Sequence, residues 1–192
     1  MASTLKVNTI QHTGGTTGIT LNSNGIIYPK VPCFRADKSI GLGWTTGGGD
    51  GQLVTFNHID GSGGSGDHSF NIGFDLSTIG TTGKVSPPVN GIYSIKAAFL
   101  INNNNASTST AYVSIQKNAI NSSDGATFLI NHYEQFPANY YYMVEVQATA
   151  KLTTSDYFGI GKHDGLKYWG AGVNNNADYG YNFVECRLIS TS

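Results

Sequence analysis

The feature that most constrains the fold of this chain is an alternation of apolar and polar residues with a period of two. It is clearest in residues 142–152, where every second residue from Tyr142 to Leu152 is apolar and most residues between them are polar. Because successive side chains of a strand point to opposite faces of a sheet, this pattern predicts a long strand with one buried face. Residues 91–101 alternate in the same way, but their outer side includes Ala98 and Leu100, so we expect other residues to cover it.

Shorter alternating segments and glycine-rich turns complete an all-β pattern. The shorter candidate strands are residues 53–56, 69–74, 111–117, 127–132, 157–160 and 182–189. Glycine-rich runs such as residues 45–51 and 61–66 predict turns, and no long window has convincing helical spacing. The pattern therefore predicts a β-sandwich of about eight to ten antiparallel strands. A jelly roll is a common solution of this kind, although the pattern alone leaves an immunoglobulin-like sandwich open.

Length and charge bound the classes of function. With 192 residues the chain is long enough for one sizeable core, and we expect a single main domain. Its net charge of −1 supplies no basic excess to neutralise phosphates, which argues against nucleic-acid binding. No apolar run approaches the ~20 residues that cross a bilayer, and residues 1–6 lack the apolar core of a signal peptide, so we expect neither membrane insertion nor export.

The first 31 residues differ from the rest of the chain. They alternate only over short stretches, and Pro29 and Pro32 mark a stiff junction before the main domain, residues 32–192. Short strands of this kind cannot bury their apolar residues alone, because an isolated hairpin is marginal in water. We therefore expect residues 1–31 to anchor the chain on a partner. The candidate anchor residues are Leu5, Val7, Ile10, Ile19 and Leu21.

The two cysteines permit a disulfide by number, but the alternation argues against one. Cys33 shares a side of its segment with Arg35, opposite Phe34, whereas Cys186 lies on the apolar side of its own segment. We therefore favour reduced thiols, as expected of a protein that matures in a cytosol, with a disulfide as the alternative.

The chain lacks a recognisable catalytic group of residues. Catalysis needs a nucleophile with a base, a pair of carboxylates or a metal cluster, and the five scattered histidines have no such spacing. His58 with Asp60, and Asp67 with His68, flank a glycine run and are favoured as solvated loop residues over metal ligands. The sequence therefore predicts a binding or structural protein rather than an enzyme.

Residues 84–95 resemble the start of a central strand in the globular heads of complement component 1q and of the tumour necrosis factor superfamily. Pro88, Gly91 and Tyr93 match the Pro-x-x-Gly-x-Tyr core of that pattern in order and spacing, while Val85 and Ile95 stand where aromatic residues are usual. Other segments similar to strands and turns of these heads are residues 34–36, 54–57, 73–75, 114–118 and 152–157. Together they extend the resemblance over roughly residues 32–189.

This resemblance implies a jelly-roll head that assembles as a homotrimer. Apolar residues of the inner sheet line the three-fold axis in that family, so Ala98 and Leu100 are the candidate trimer contact here. The resemblance also makes Asp156 a candidate calcium ligand near the axis, although a turn-capping role is favoured. Ser155 replaces the usual turn glycine, and residues 183–189 lack the small Ser-Gly pair that typically follows the aromatic residue.

Residues 3–19 resemble the N-termini of virion structural proteins from phages of marine bacteria and cyanobacteria, particularly fibre-like proteins. The two resemblances together imply a trimeric knob of a tail fibre or spike on the virion surface, assembled in the host cytoplasm, that contacts the host. A capsid decoration protein that cements neighbouring capsid subunits is the alternative, and the shortness of the chain favours it. A polysaccharide-cleaving tailspike would need a larger fold or a carboxylate pair and is disfavoured.

A candidate ligand loop lies within residues 162–178. It places aromatic rings beside amides, and the residues concerned are Tyr168, Trp169, Asn174, Asn175 and Asn176. Saccharides stack on such rings while amides bond to their hydroxyls, so a host glycan or protein is a candidate partner. Packing of the two aromatic residues against a neighbouring subunit is the favoured alternative.

Overall fold

The described part of the chain is all-β apart from one short helix. The computed structural model describes residues 9–11, 17–21, 27–29, 31–38, 53–59, 68–103, 108–119, 128–138, 140–163, 167–168 and 182–191. The helix is α1 (Ile79–Thr82), and no helix in these residues is long and apolar enough to cross a membrane. The strands are β1 (Thr9–Gln11), β2 (Thr17–Leu21), β3 (Ile27–Pro29), β4 (Cys33–Asp37), β5 (Phe70–Ile72), β6 (Gly91–Asn103), β7 (Ser109–Lys117), β8 (Phe128–Phe136), β9 (Tyr140–Leu152), β10 (Phe158–His163), β11 (Lys167–Tyr168) and β12 (Phe183–Thr191).

The described strands form three antiparallel sheets. The large sheet has the order β11-β6-β12-β4-β5, with β9 paired to β6 as well. The small sheet has the order β10-β7-β8, and the N-terminal sheet has the order β1-β2-β3. The expected anchor segment therefore pairs within itself, while the main domain contains the other two sheets.

The strand pairing of the main domain is that of a jelly roll. β4 pairs with β12, β6 with β9, and β7 with β8, so early strands pair with late ones in nested order. A further pairing lies between the β4–β12 pair and the β6–β9 pair in this order. Here Leu53 and Val85 form antiparallel bridges to Gly161 and Phe158 of β10, respectively. A long hairpin made of four nested pairs forms two packed sheets when it is rolled up, which is the jelly-roll arrangement. In this chain, the pairing of β12 with β6 completes the large sheet, and the pairing of β10 with β7 completes the small sheet. This arrangement confirms the predicted β-sandwich. It is the strand order of a jelly roll and not of an immunoglobulin-like sandwich, the alternative that the residue pattern left open.

The core lies between the large and small sheets and is built by the alternating strands. On β6, the inward residues Tyr93, Ile95, Ala97 and Phe99 are all buried. The predicted alternation of β9 is also confirmed, because its residues from Val144 to Leu152 alternate between buried and exposed. Phe34 of the large sheet stacks on Phe158 of the small sheet, with ring centroids 6.3 Å apart. These contacts join the two sheets face to face.

The weakest strand predictions fall at the edges of the sandwich. Residues 53–56, predicted as a strand, make a bridge at Leu53 and a hydrogen bond from the Val54 amide to the Ile160 carbonyl, 2.8 Å long. Residues 69–74 contain only the three-residue strand β5. Among the described residues, β5 pairs only with β4 and residues 53–56 form a single bridge to β10, so the pairing of both segments depends on few hydrogen bonds.

Tertiary contacts, and not only local backbone geometry, explain the residues of the Pro-x-x-Gly-x-Tyr motif. The Tyr93 ring is buried and its hydroxyl donates to the Val89 carbonyl at 2.7 Å, which satisfies the polar tip. Gly91 lies where β12 approaches closely after an irregularity in its register. A Cβ atom at Gly91 would be only 2.5 Å from the Ser190 carbonyl oxygen. The glycine is therefore required by this close approach and not only for relaxed backbone geometry.

We predict that Gly91→Ala destabilises the protein by about 1–3 kcal/mol, because the added methyl group meets a backbone carbonyl that cannot move aside. Urea denaturation at pH 7 measures the free energy of unfolding. The matched control is Gly80→Ala in α1, where the new Cβ atom would make only an ordinary 3.4 Å contact. This control should be neutral or slightly stabilising, because alanine favours helix over glycine. Equal effects of the two substitutions would contradict the close approach.

Candidate functional site

The outer face of the large sheet concentrates exposed apolar side chains. We use this name for the side of the sheet that points away from the small sheet. Among the described residues, eight large apolar side chains are exposed, and five of them lie on strands of this face by alternation and register. The five are Phe70, Ile72, Ile92, Met143 and Ile189. Such clustering marks an interaction surface, because single exposed apolar residues are normally scattered.

A row of polar side chains crosses the middle of this face. The register places Phe70 of β5 beside Arg35, Arg35 beside Glu185, and Glu185 beside Lys96. Gln147 of β9 completes the row beside Lys96. A groove of about 420 Å³ follows part of this row. Its lining includes Phe70, Ser94, Lys96, Gln147, Glu185 and Arg187.

Buried and half-buried charges hold one flank of the groove in place. The fully buried Asp37 carboxylate accepts from Arg35 Nε at 2.9 Å and from the His68 amide at 3.0 Å. The Arg35 guanidinium lies over the Phe183 ring, 3.9 Å from its centroid. Pairing with a cation offsets the cost of burying the Asp37 charge, so Arg35 has little freedom to move.

Two charged side chains on β12 remain available to a ligand. Lys96 pairs with Glu145 at 3.1 Å, and Gln147 donates to the Ser94 hydroxyl at 3.3 Å. In the described part of the chain, no hydrogen bond or ion pair engages the side chains of Glu185 and Arg187. They lie two residues apart on β12 and therefore on the same face. The groove thus presents an acceptor and a donor side by side.

The two candidate trimer residues differ in accessibility. Ala98 is 0% exposed within the single chain and pairs with Phe183, which confirms that other residues cover this part of β6. Leu100 is partly exposed and lies beside Met143, which is 43% exposed. Leu100 is thus available to a partner. Ala98 is not available, because other residues of the same chain already bury it. A contact through Leu100 stays a prediction.

Asp156 caps a turn, as favoured, and its oxygens already have donors. Its Oδ1 accepts from Asn118 Nδ2 at 2.8 Å, and its Oδ2 accepts from the Thr153 amide at 2.8 Å, the Thr153 hydroxyl at 2.9 Å and Lys117 Nζ at 3.0 Å. A calcium ion would have to displace these donors, including an ammonium group. Nor do the described residues contain a group of three or more His, Cys, Asp or Glu side chains suited to a metal.

The charge state of Asp156 follows from these contacts. Burial raises the pKa of this carboxyl, but hydrogen bonds from Asn118, Thr153 and Lys117 lower it by more. The net result is a pKa well below the usual range of an aspartate. The carboxylate therefore ties the end of β7 to the turn before β10 as a charged group.

Both cysteines are free thiols, as favoured from the alternation. The register pairs Cys33 with Arg187 and Phe34 with Cys186, so the two cysteines lie on neighbouring strands but on opposite faces of the large sheet. Cys186 is buried in the core, and burial raises the pKa of its thiol. Cys33 belongs to the lining of the groove and is only partly buried, and burial raises its pKa as well.

The other predicted site residues are only partly within the described chain. Ile10 lies in β1 as the register partner of Ile19 in β2, and Leu21 ends β2. Tyr168 lies in β11, paired with Ile101 of β6. Those outside the described residues are Leu5, Val7, Trp169, Asn174, Asn175 and Asn176. The roles proposed for these residues stay predictions.

The residues that form the groove were not singled out from the sequence. Lys96, Glu185 and Arg187 lie on the polar side of segments predicted as strands, whereas Phe70 falls on the apolar side of its segment with Ile72 and Phe74. Nothing local to those segments says which strands are neighbours, and the groove exists only because β5, β4, β12, β6 and β9 lie side by side.

No protein-family model matches this chain, and a search of the curated proteins finds no match either. The features of this chain that bear on its function are therefore the fold, the outer face and the groove.

We predict that Asp156→Asn lowers the free energy of unfolding at pH 7 by on the order of 1–2 kcal/mol, because a charge-assisted network loses its anion. The folded pKa of Asp156 lies below the unfolded value near ~3.9, so its contribution is present above that pH and is lost as pH falls through the folded pKa. Urea denaturation between pH 7 and pH 2 should show the wild type and the variant converging in acid.

The matched control for that prediction is Glu145→Gln, which removes an exposed carboxylate also paired with a lysine. Surface pairs contribute little, so this control should cost less than Asp156→Asn. If the two substitutions have the same effect at every pH, the Asp156 network is not what stabilises this turn.

We predict that a maleimide reagent labels Cys33 in the native protein and reaches Cys186 only after unfolding in guanidinium, because Cys186 is 2% exposed. Mass spectrometry of the labelled peptides, without a reductant, measures both sites. Cys33→Ser should remove the native labelling. Two unlabelled cysteines that react only after reduction would instead reveal a disulfide.

Proposed function

We propose that this chain is a non-enzymatic virion structural protein of a bacteriophage, a trimeric knob of a tail fibre or spike that contacts the host surface. The observation that carries the proposal is the clustering of exposed apolar side chains on the outer face of a jelly-roll sheet. Leu100 and Met143 form an apolar end of this face beyond the polar row, and this end suits association with other chains.

The end of this face near Leu100 is the proposed contact between subunits. Leu100 and Met143 are cross-strand neighbours on β6 and β9, and Met143 is nearly half exposed. Heads of the complement component 1q and tumour necrosis factor families, which residues 84–95 resemble, assemble as trimers. The nested strand order of the main domain suits such a head.

Attachment to the virion is assigned to the N-terminal sheet. Its three strands pair in the order β1-β2-β3, outside the two sheets of the jelly roll. Residues 3–19 resemble the N-termini of phage fibre-like proteins, which supports an anchor in this position. Three knobs on one axis would strengthen weak contacts with a host surface through avidity.

We predict that the full chain has a mass three times its 20.4 kDa in light scattering after size-exclusion chromatography, and that Leu100→Lys and Met143→Lys each shift it toward the monomer. A buried lysine at a subunit contact has no partner for its charge. Tyr133→Lys is the control, because Tyr133 is 52% exposed on β8 of the small sheet. A monomeric wild type, or a trimer unchanged by both lysine substitutions, would contradict the proposed contact.

We predict that antibodies against the chain label the ends of tail fibres or spikes when phage particles that carry it are viewed by electron microscopy. Labelling of the capsid surface would favour the decoration alternative instead. Particles in which the chain is present only as a contaminant, with no ordered labelling, would contradict both readings.

A further inference from the structure

We propose that the groove on the outer face of the large sheet binds a neutral saccharide, whose neighbouring hydroxyls bond to Glu185 and Arg187. This site would give the proposed knob its ligand, and to that extent the inference rests on the proposed function. The described lining of the groove includes no residue of the candidate loop, residues 162–178.

The size of the groove suits a small part of a polysaccharide. Its volume of about 420 Å³ falls within the usual range of ligand sites, roughly 300–1,000 Å³. It is lined by side chains of five strands in one sheet, which fixes their relative positions. The backbone of this floor therefore needs little ordering on binding.

The charges in the groove select the chemical class of the ligand. The lining holds one carboxylate, Glu185, and two cations, Arg187 and Lys96. Because Lys96 is already paired with Glu145, the groove offers a ligand one unpaired charge of each sign among the described residues. A hydroxyl group both donates and accepts, so two neighbouring hydroxyls can bond to the carboxylate and the guanidinium at once. The Cβ atoms of Glu185 and Arg187 are about 7 Å apart along β12. The two neighbouring hydroxyls of a diol can bond to both side chains when the carboxylate and the guanidinium group bend toward each other.

The remaining lining residues complete a saccharide site. Phe70 is 45% exposed and lies in the same row, one strand beyond Arg35, where its ring offers a face for the C–H groups of a sugar. On the other flank, the side chains of Gln147 and Ser94 are hydrogen-bonded to each other. The amide and hydroxyl groups of these side chains can still donate and accept further hydrogen bonds. The ligand thus has an apolar contact at one end and polar contacts at the other.

The groove and the proposed subunit contact occupy different parts of the face. Lys96 lines the groove, and Leu100 lies four residues further along β6, a distance of about 13 Å. A subunit contact confined to Leu100 and Met143 would leave Phe70 and Arg187 accessible. Binding and assembly can be measured independently for this reason.

Affinity electrophoresis of the full chain through gels containing dextran, mannan or galactan tests the inference, with the anionic polysaccharide alginate as comparison. The wild type should be retarded by at least one neutral polysaccharide and less by alginate. Phe70→Ala and Glu185→Gln should each weaken this binding about tenfold, since stacking and a charge-assisted hydrogen bond are lost. Tyr133→Ala removes an exposed ring from the small sheet and should bind as the wild type does.

Protection of Cys33 locates the ligand, because this thiol belongs to the lining of the groove. The retarding polysaccharide should slow maleimide labelling of Cys33 in the wild type and not in Glu185→Gln at the same concentration. No retardation by any neutral polysaccharide, preference for alginate, or binding without protection of Cys33 would each overturn the inference. Light scattering on the same samples reads assembly separately, so a monomer that binds would refute the trimer and keep the saccharide site.

Discussion

β6 is the strand on which the rest of the structure depends, because it is hydrogen-bonded along both edges and buried on its inner face and on part of its outer face. β9 pairs with it over its whole length on one side, and β12 pairs with it on the other. Its inward residues form the middle of the core, while Ser94 and Ala98 on its outer side are also buried. A slip of one residue would turn the core side chains outward, so the position of β6 sets the register of its neighbours.

The outer face of the large sheet inherits its chemistry from that register. Alignment of β4, β12 and β6 brings Arg35, Phe183 and Lys96 together, and the buried Asp37 holds Arg35 by a hydrogen bond. These residues stabilise one flank of the groove and leave Glu185 and Arg187 beside it. The same face therefore combines a rigid polar row with apolar residues at its margins, which suits both the proposed ligand and the proposed subunit contact.

Much of the fold could be predicted because burial on one face leaves a period-two pattern in each long strand. β6 and β9 match their predicted segments to within two residues at each end, and the free thiols follow from the same alternation. The need for glycine at position 91 could not be predicted in this way, since the residue that occupies the space, Ser190, is far away in sequence. Ala98 shows the same limit: its segment has an apolar residue on the outer side, and only the fold shows that this chain itself covers it.

The sequence by itself determined that the chain is all-β, which side of each long strand enters the core, and that the cysteines face opposite ways. These are local properties, because the direction of a side chain follows from its place in the strand. Only the tertiary structure decided that β4, β12 and β6 are neighbours, that Asp156 is saturated with donors, and that Phe70 and Arg187 share one groove. The physical reason is that strand pairing joins segments more than a hundred residues apart through backbone hydrogen bonds, and these carry no signature in the side chains of either segment.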